Sequence, residues 1–409
     1  MTKWIIIILA LLIISVFVFL IVPLFKEMDF HKPTGKNKVG TNHFEIYDNK
    51  RERRISVRVF YPAIAESGSE YLPVMDPNVG KAFGKMYHIP GGGGKSSPSN
   101  SLIDGRIVEG MYPVIIFSHG AFSYDTQNLS TLEDLASNGY IVYTLSHTDE
   151  ALLTIFPGYE LAPAPDTSFI ENSMKMSKEA VIEYKEQIEI LTGLSPGAEK
   201  LKAHKHLGVN FYNGLKPYLE QRLTDIHFLL GSLKGLQADS TFPVAGKMDL
   251  DRIGMFGHSF GGITTSYICS EEDSPVKAGI NMDAPVIIYD DDIPRLKRPF
   301  AFFYSTETSL IKEGTINLTG CNSFFEEDSS NPVFSLSFEG TAHYNFSDFN
   351  FMPPFFRYTP MLGSIDGMKM SKILNRSVLE FFDYTLKKDD ESFYAAGDSP
   401  YEEVTIKLK

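Results

Sequence analysis

Cysteine is almost missing from this chain: Cys269 and Cys321 are the only two in 409 residues. Two thiols cannot build a disulfide framework or a cysteine zinc centre, so they form either one bridge or a pair of buried free thiols. Basic residues are also in short supply, with 38 Lys and Arg against 51 Asp and Glu and a net charge of −13. That balance argues against a nucleic-acid partner. No internal repeat is found. Hydrophobic residues make up 43% and charged residues 22%, an ordinary globular composition that excludes wholesale disorder and suffices for a large core. The length exceeds one average domain but suits a single large α/β domain with insertions.

One stretch, 4–25, is apolar except for Ser15 and Pro23. As a helix it rises about 33 Å, enough to cross a hydrocarbon core. It is longer than a signal-peptide core, and bulky Val22-Pro23-Leu24 offers no small-residue cleavage site. An uncleaved single-pass anchor is therefore expected in preference to a cleaved signal. No cysteine follows it, so a lipoprotein anchor is excluded. A literal count of flanking lysines would keep the following domain in the cytoplasm. Long domains behind N-terminal anchors translocate regardless of such counts, and an extracellular domain is expected.

Residues 26–43 are polar and lysine-rich and read as a stalk. Two alternating runs in 44–62, around Asp48-Asn49-Lys50, predict an antiparallel hairpin. Residues 63–110 carry many Gly, Pro and Ser and read as a surface excursion. Buried parallel strands are predicted at 113–117, 140–145, 278–282, 300–304 and 333–338, with helices at 129–138, 217–233 and 369–386. This alternation specifies an α/β fold with a mostly parallel sheet and helices on both faces. The regularity stops over 149–216, where proline-rich loops and a polar helix at 173–191 suggest a helical cap inserted over the sheet. The domain is thus expected to span 44–395, with 396–409 as a C-terminal tail.

The chain's chemistry centres on 253–262, Ile-Gly-Met-Phe-Gly-His-Ser-Phe-Gly-Gly. A short apolar run, a G-x-S-x-G turn and a helical segment place Ser259 on a strained strand-to-helix elbow. Serine needs an adjacent base to attack at neutral pH. In the α/β-hydrolase order the acid and then the histidine follow the serine. Of ten histidines only His343 lies beyond Ser259, in a glycine-containing loop after the strand at 333–338. The acid is open between Asp283, tight against the end of one strand, and Glu307, just past the next; the run Asp290, Asp291, Asp292 reads as a solvated acidic surface. Two backbone amides are required for the oxyanion. One should be that of Phe260, after the nucleophile, and the other that of Ala121, in the turn after the 113–117 strand. His119 precedes the nucleophile and reads as structural. His204 and His206 have no third ligand at metal spacing and read as surface residues. Neither a metal nor a cofactor is called for.

At these residues the chain resembles the plasma platelet-activating factor acetylhydrolase family. The matching pieces are 48–54, Pro-Val-Ile-Ile-Phe-Ser-His-Gly-Ala at 113–121, 135–142, 253–262, 280–284 and Thr-Ala-His-Tyr-Asn-Phe-Ser-Asp-Phe at 341–349. They occur in the family's order over about 44–385. The resemblance implies an α/β hydrolase, independent of calcium, that removes short or oxidised acyl groups from the sn-2 position of phospholipids. It implies Ser259 as nucleophile, Asp283 as acid, His343 as base, and Ala121 and Phe260 as oxyanion donors. Little of 149–216 matches, and a membrane anchor departs from a secreted enzyme. A broad carboxylesterase or polyester hydrolase is therefore the second reading of the same site. A non-catalytic binding protein on this scaffold is the third, opposed by a triad with no member missing. Phe346, Phe349, Phe351, Met352, Phe355 and Phe356 are candidates for an acyl pocket or bilayer contact, with core packing the plainer reading for at least half.

Overall fold

The structure, a computed structural model, describes residues 30–66, 68–86, 96–162, 178–289, 294–307, 318, 320–327, 329–352 and 361–409. The apolar stretch at 4–25, the acidic run 290–292 and Phe355 and Phe356 lie outside these residues. Among the described residues no helix is long and apolar enough to cross a membrane.

The strands are β1 (Lys38–Asp48), β2 (Arg53–Ile64), β3 (Tyr71–Pro73), β4 (Pro98–Ile103), β5 (Arg106–Ile107), β6 (Tyr112–Ser118), β7 (Ile141–Ser146), β8 (Ile155–Phe156), β9 (Glu160–Leu161), β10 (Met248–His258), β11 (Val276–Met282), β12 (Phe300–Ser305), β13 (Val333–Phe338) and β14 (Val404–Leu408). The main sheet runs β14-β13-β12-β11-β10-β6-β7-β2-β1-β4-β3, with β5 beside β2; β8 and β9 form a separate small hairpin. The central strands from β7 to β13 are parallel, and β2 and β14 flank them antiparallel. The helices that matter for the site are α1 (Pro77–Met86), α2 (Leu129–Ser137), α3 (Lys178–Gly193), α4 (Ala198–Phe211), α5 (Lys216–Ala238), α6 (Phe260–Ile268) and α7 (Gly367–Phe382).

The unbroken apolar runs follow from burial on both faces of the sheet, because successive side chains point to opposite sides. In β6, Val114 and Ile116 join the core on one face while Ile115 and Phe117 join the other. In β12, Phe300, Phe302 and Tyr304 face the first core, and Ala301 and Phe303 the second. α3, α4 and α5 cover the first face; α2 and α7 cover the second. Phe302 is fully buried and packs between Phe300, whose ring is tilted to it, and Tyr304, whose ring is nearly parallel, with ring centroids 4.9 and 6.1 Å away. Phe302→Ala is expected to cost about 3–5 kcal/mol through the lost burial and the cavity left behind. Urea denaturation checks this; a loss under about 1 kcal/mol would contradict the packing described.

Three sequence expectations are corrected. The stretch 26–43 is not a free stalk over its described part. Thr34 and Gly35 donate their amides to Asp134 and Ser137 of α2, His31 meets Ser371 of α7 at 3.0 Å, and β1 already begins at Lys38. Lys32, Lys36 and Lys38 alternate outward along this segment, so the composition looked solvated while the backbone was docked. The stretch 396–409 is not a tail either. Its β14 closes the sheet edge against β13, with register Phe334 to Leu408. Only Val404 of that strand is buried, which is why the sequence carries no clear core signal there.

His204, read as a surface residue, is fully buried on α4, where its Nε2 lies 3.1 Å from the Cys321 carbonyl oxygen. The inserted segment is helical as expected, and it packs onto the sheet: Tyr184, Ile188, Leu191 and Leu207 belong to the core on that face. Cys269 and Cys321 are free thiols in that same core, and burial pushes both thiols above their ordinary value.

Candidate active site

β10 ends at His258, α6 starts at Phe260, and Ser259 between them takes φ 55° and ψ −121°. A serine held in that region is strained, and the neighbours that hold it are the flanking glycines. A Cβ on Gly261 would lie 1.9 Å from the Ser118 carbonyl oxygen, and one on Gly257 would lie 2.2 Å from the Gly261 backbone. Glycine is thus required for close approach, bringing the elbow against the end of β6.

Ser259 donates its amide to the Met282 carbonyl at 2.8 Å. The next residue, Asp283, begins the loop after β11 with φ 59°. Its amide is held by the Phe303 carbonyl at 2.8 Å, and its Oδ1 accepts the Ser305 amide at 2.7 Å. That leaves Oδ2 to accept from Nδ1 of His343 at 2.8 Å. Asp283 and His343 are almost fully buried and Ser259 is partly exposed. Glu307, the other candidate acid, is engaged by a different partner: its Oε2 accepts the Ser364 amide at 2.8 Å.

The loop carrying His343 is pinned by the residues that follow it. Asn345 Oδ1 accepts the amides of Ala342 and Gly363, each at 2.8 Å, and its Nδ2 donates to Asn350. Asp348 accepts the Ser130 amide at 3.0 Å. Phe346 packs edge-on against Phe338 and is core, whereas Phe351 stacks on Phe30 at 4.2 Å. Phe349 lies with Phe83 of α1, Tyr124 and Leu362 in a smaller apolar cluster.

The sequence reading missed three links that bind the elbow to its surroundings. His258 is fully buried, and burial holds its imidazole well below the ordinary value, so it is neutral. Its Nε2 donates to the His343 carbonyl oxygen at 3.0 Å, and its Nδ1 accepts from Gln127 Nε2 at 2.7 Å. Gln127 in turn accepts the Gly120 amide at 2.7 Å through Oε1. One relay of hydrogen bonds thus runs from the turn after β6 to the histidine loop. The second link is a buried ion pair, Arg222 with Glu150 at 2.6 Å. The third is His147, whose Nδ1 lies 3.1 Å from Asp225 Oδ2 and whose Nε2 lies 3.5 Å from Ser118 Oγ. Burial pushes the Asp225 carboxyl up, but the hydrogen bond from His147 and the Arg53 guanidinium outweigh it and hold it at about 2.

In the turn after β6, His119 is buried and its Nδ1 donates to the Gly120 carbonyl at 2.7 Å. The Gly120 amide goes to Gln127 and the Phe122 amide to Glu150 at 2.8 Å. Among the described residues neither the Ala121 nor the Phe260 amide has an acceptor. Two unengaged amides close to a serine elbow, with a carboxylate-held imidazole beside it, can support acyl transfer. No group of three or more His, Cys, Asp or Glu suited to a metal ion occurs among the described residues.

The family model described as platelet-activating factor acetylhydrolase, isoform II, matches residues 23–192 and 229–404, well over half of the chain. The platelet-activating factor acetylhydrolase of Canis lupus familiaris is 26% identical over 335 residues, covering 78% of this chain and 68% of that protein. The Bos taurus protein of the same name is 27% identical over 370 residues, covering 85% and 76%. Among solved structures, a ferulic acid esterase from Streptomyces cinnamoneus superposes with a TM-score of 0.67 at 19% identity, over 93% of this chain and 99% of that one. That likeness, with the sheet order above, shows the α/β-hydrolase fold. The chain belongs to the platelet-activating factor acetylhydrolase, isoform II, family and is an ester hydrolase.

Proposed function

We propose that this chain removes short or oxidised acyl groups from the sn-2 position of phospholipids through an acyl-enzyme at Ser259. The observation that carries the reading is the 2.8 Å bond between His343 and Asp283 next to the Ser259 elbow. It gives the imidazole one fixed tautomer, with Nδ1–H on the carboxylate and Nε2 left to act as base. Ser259 Oγ attacks the ester carbonyl and its proton passes to Nε2 of His343. The Ala121 and Phe260 amides receive the oxyanion. The lysolipid hydroxyl leaves with the proton from the imidazole. Water then attacks the acyl-enzyme with the same histidine as base, releasing the carboxylic acid and restoring Ser259. The apolar stretch at 4–25 anchors the protein in a bilayer, with the catalytic domain on the extracellular side.

A comparison of phosphatidylcholines tests the substrate. With the sn-1 chain constant, kcat/KM for an sn-2 acetyl group is expected to exceed that for an sn-2 palmitoyl group at least about tenfold. Equal rates, with faster turnover of p-nitrophenyl acetate than of either lipid, would instead favour a broad carboxylesterase.

A further inference from the structure

Arg222 is fully buried, yet its guanidinium is surrounded by the turn after β6 rather than by ordinary core. One terminal nitrogen donates to the His119 carbonyl at 2.5 Å and to Ser118 Oγ at 3.2 Å; the other donates to the Gly120 carbonyl at 2.9 Å. Its Nε and the second nitrogen both reach Glu150 Oε2, at 2.9 and 2.6 Å. The other oxygen of Glu150 accepts the Phe122 amide. Phe122 sits at φ 52°, a conformation that an aromatic residue keeps only when its surroundings impose it. The guanidinium carbon also lies 4.7 Å over the ring of Phe260. A single ion pair therefore grips the carbonyls of residues 119 and 120 and the amide of 122, and it touches the side chain of residue 260.

A buried ion pair contributes little net stability, because the desolvation of both charges offsets their attraction; a well-packed apolar pair of the same volume often does as well. The pair must then be explained by what it orients. We propose that Arg222 and Glu150 are positioning residues for the oxyanion donors: they hold the 119–122 turn so that the Ala121 amide is preorganised towards the developing charge. Glu150 stands at the start of the 149–216 insertion and Arg222 stands six residues past its end. Both ends of the insertion thus converge on the turn, and the proposal makes turnover depend on that junction. It rests on the acyl-transfer reading of Ser259 given above.

The test uses the full-length protein in detergent with p-nitrophenyl acetate as substrate and a trifluoromethyl ketone as tetrahedral mimic. Arg222→Lys keeps the charge but loses the fork that spans two carbonyls. Its kcat is expected to fall about 10²-fold with KM within about threefold, the signature of a misplaced transition-state contact. Affinity for the ketone should fall in parallel with kcat/KM. Glu150→Gln, which still offers an oxygen to the Phe122 amide, should lose about tenfold in kcat. The double variant Arg222→Met, Glu150→Met should stay folded, with an undiminished melting temperature, but turn over as poorly as Arg222→Lys. If any of these variants is folded and keeps kcat within threefold, or if kcat falls while ketone affinity is unchanged, the positioning role is wrong. A wild type that takes no fluorophosphonate at Ser259 would instead sink the acyl-enzyme reading itself. An active wild type with unimpaired variants sinks only the clamp.

Discussion

Ser259→Ala reduces ester turnover by about 10⁴- to 10⁶-fold and abolishes labelling by a fluorophosphonate, while the melting temperature moves by only a few degrees. The size of the effect follows from the absence of any stand-in. The nearest competitor in kind is Ser118, which with His147 and Asp225 forms a second Ser-His-Asp arrangement. All three of those side chains are buried, and Ser118 Oγ also receives the Arg222 guanidinium. No ester can reach it, so the arrangement is a hydrogen-bond strut under the turn after β6. Ser259 is partly exposed, so its removal disturbs chemistry far more than folding. Hydrolysis of p-nitrophenyl acetate that persisted in the alanine variant would end the assignment.

Asp283→Asn lowers kcat by about 10⁴-fold, while Glu307→Gln leaves it within about threefold. The asparagine keeps the shape and still accepts the Ser305 amide. It cannot both do so and hold the Nδ1–H of His343, so the imidazole turns to the wrong tautomer and its protonated form loses a countercharge. Glu307 is engaged with Ser364 instead, so its neutral amide should change a surface contact only. Steady-state kinetics of the two variants decide between them. If Glu307→Gln were the crippled one, the acid would belong to the later strand and the bond drawn here would be incidental.

Much of the scaffold was legible from local pattern. Runs apolar at every position announced strands covered on both faces, and their predicted limits at 113–117, 300–304 and 333–338 fall within β6, β12 and β13. The leucine stripe of 217–233 lies inside α5. The segment 30–43 and the strand β14 escaped because each buries too few apolar side chains to betray its place; both are held by backbone bonds, which any sequence can make. The inserted helical cap was legible where the strand–helix alternation stops, but the depth of its packing was not. A helix with so weak an apolar stripe looks the same in sequence whether it forms a loose cap or rests on the core.

The residues by themselves determined which serine sits on an elbow and which histidine follows it. Both depend on short-range facts: glycine spacing that permits close backbone approach, and a single histidine downstream. Read alone they left Asp283 and Glu307 as alternatives; resemblance pointed to Asp283. Only the tertiary structure decided which carboxylate meets His343, that Gln127 and His258 tie the two loops together, and that Arg222 and Glu150 close on the turn between them. Those pairs are up to 131 residues apart in the chain. Side chains that distant meet only once parallel strands lie in register and their loops gather at one edge, a geometry set by the packing of the whole sheet and by no local stretch of it.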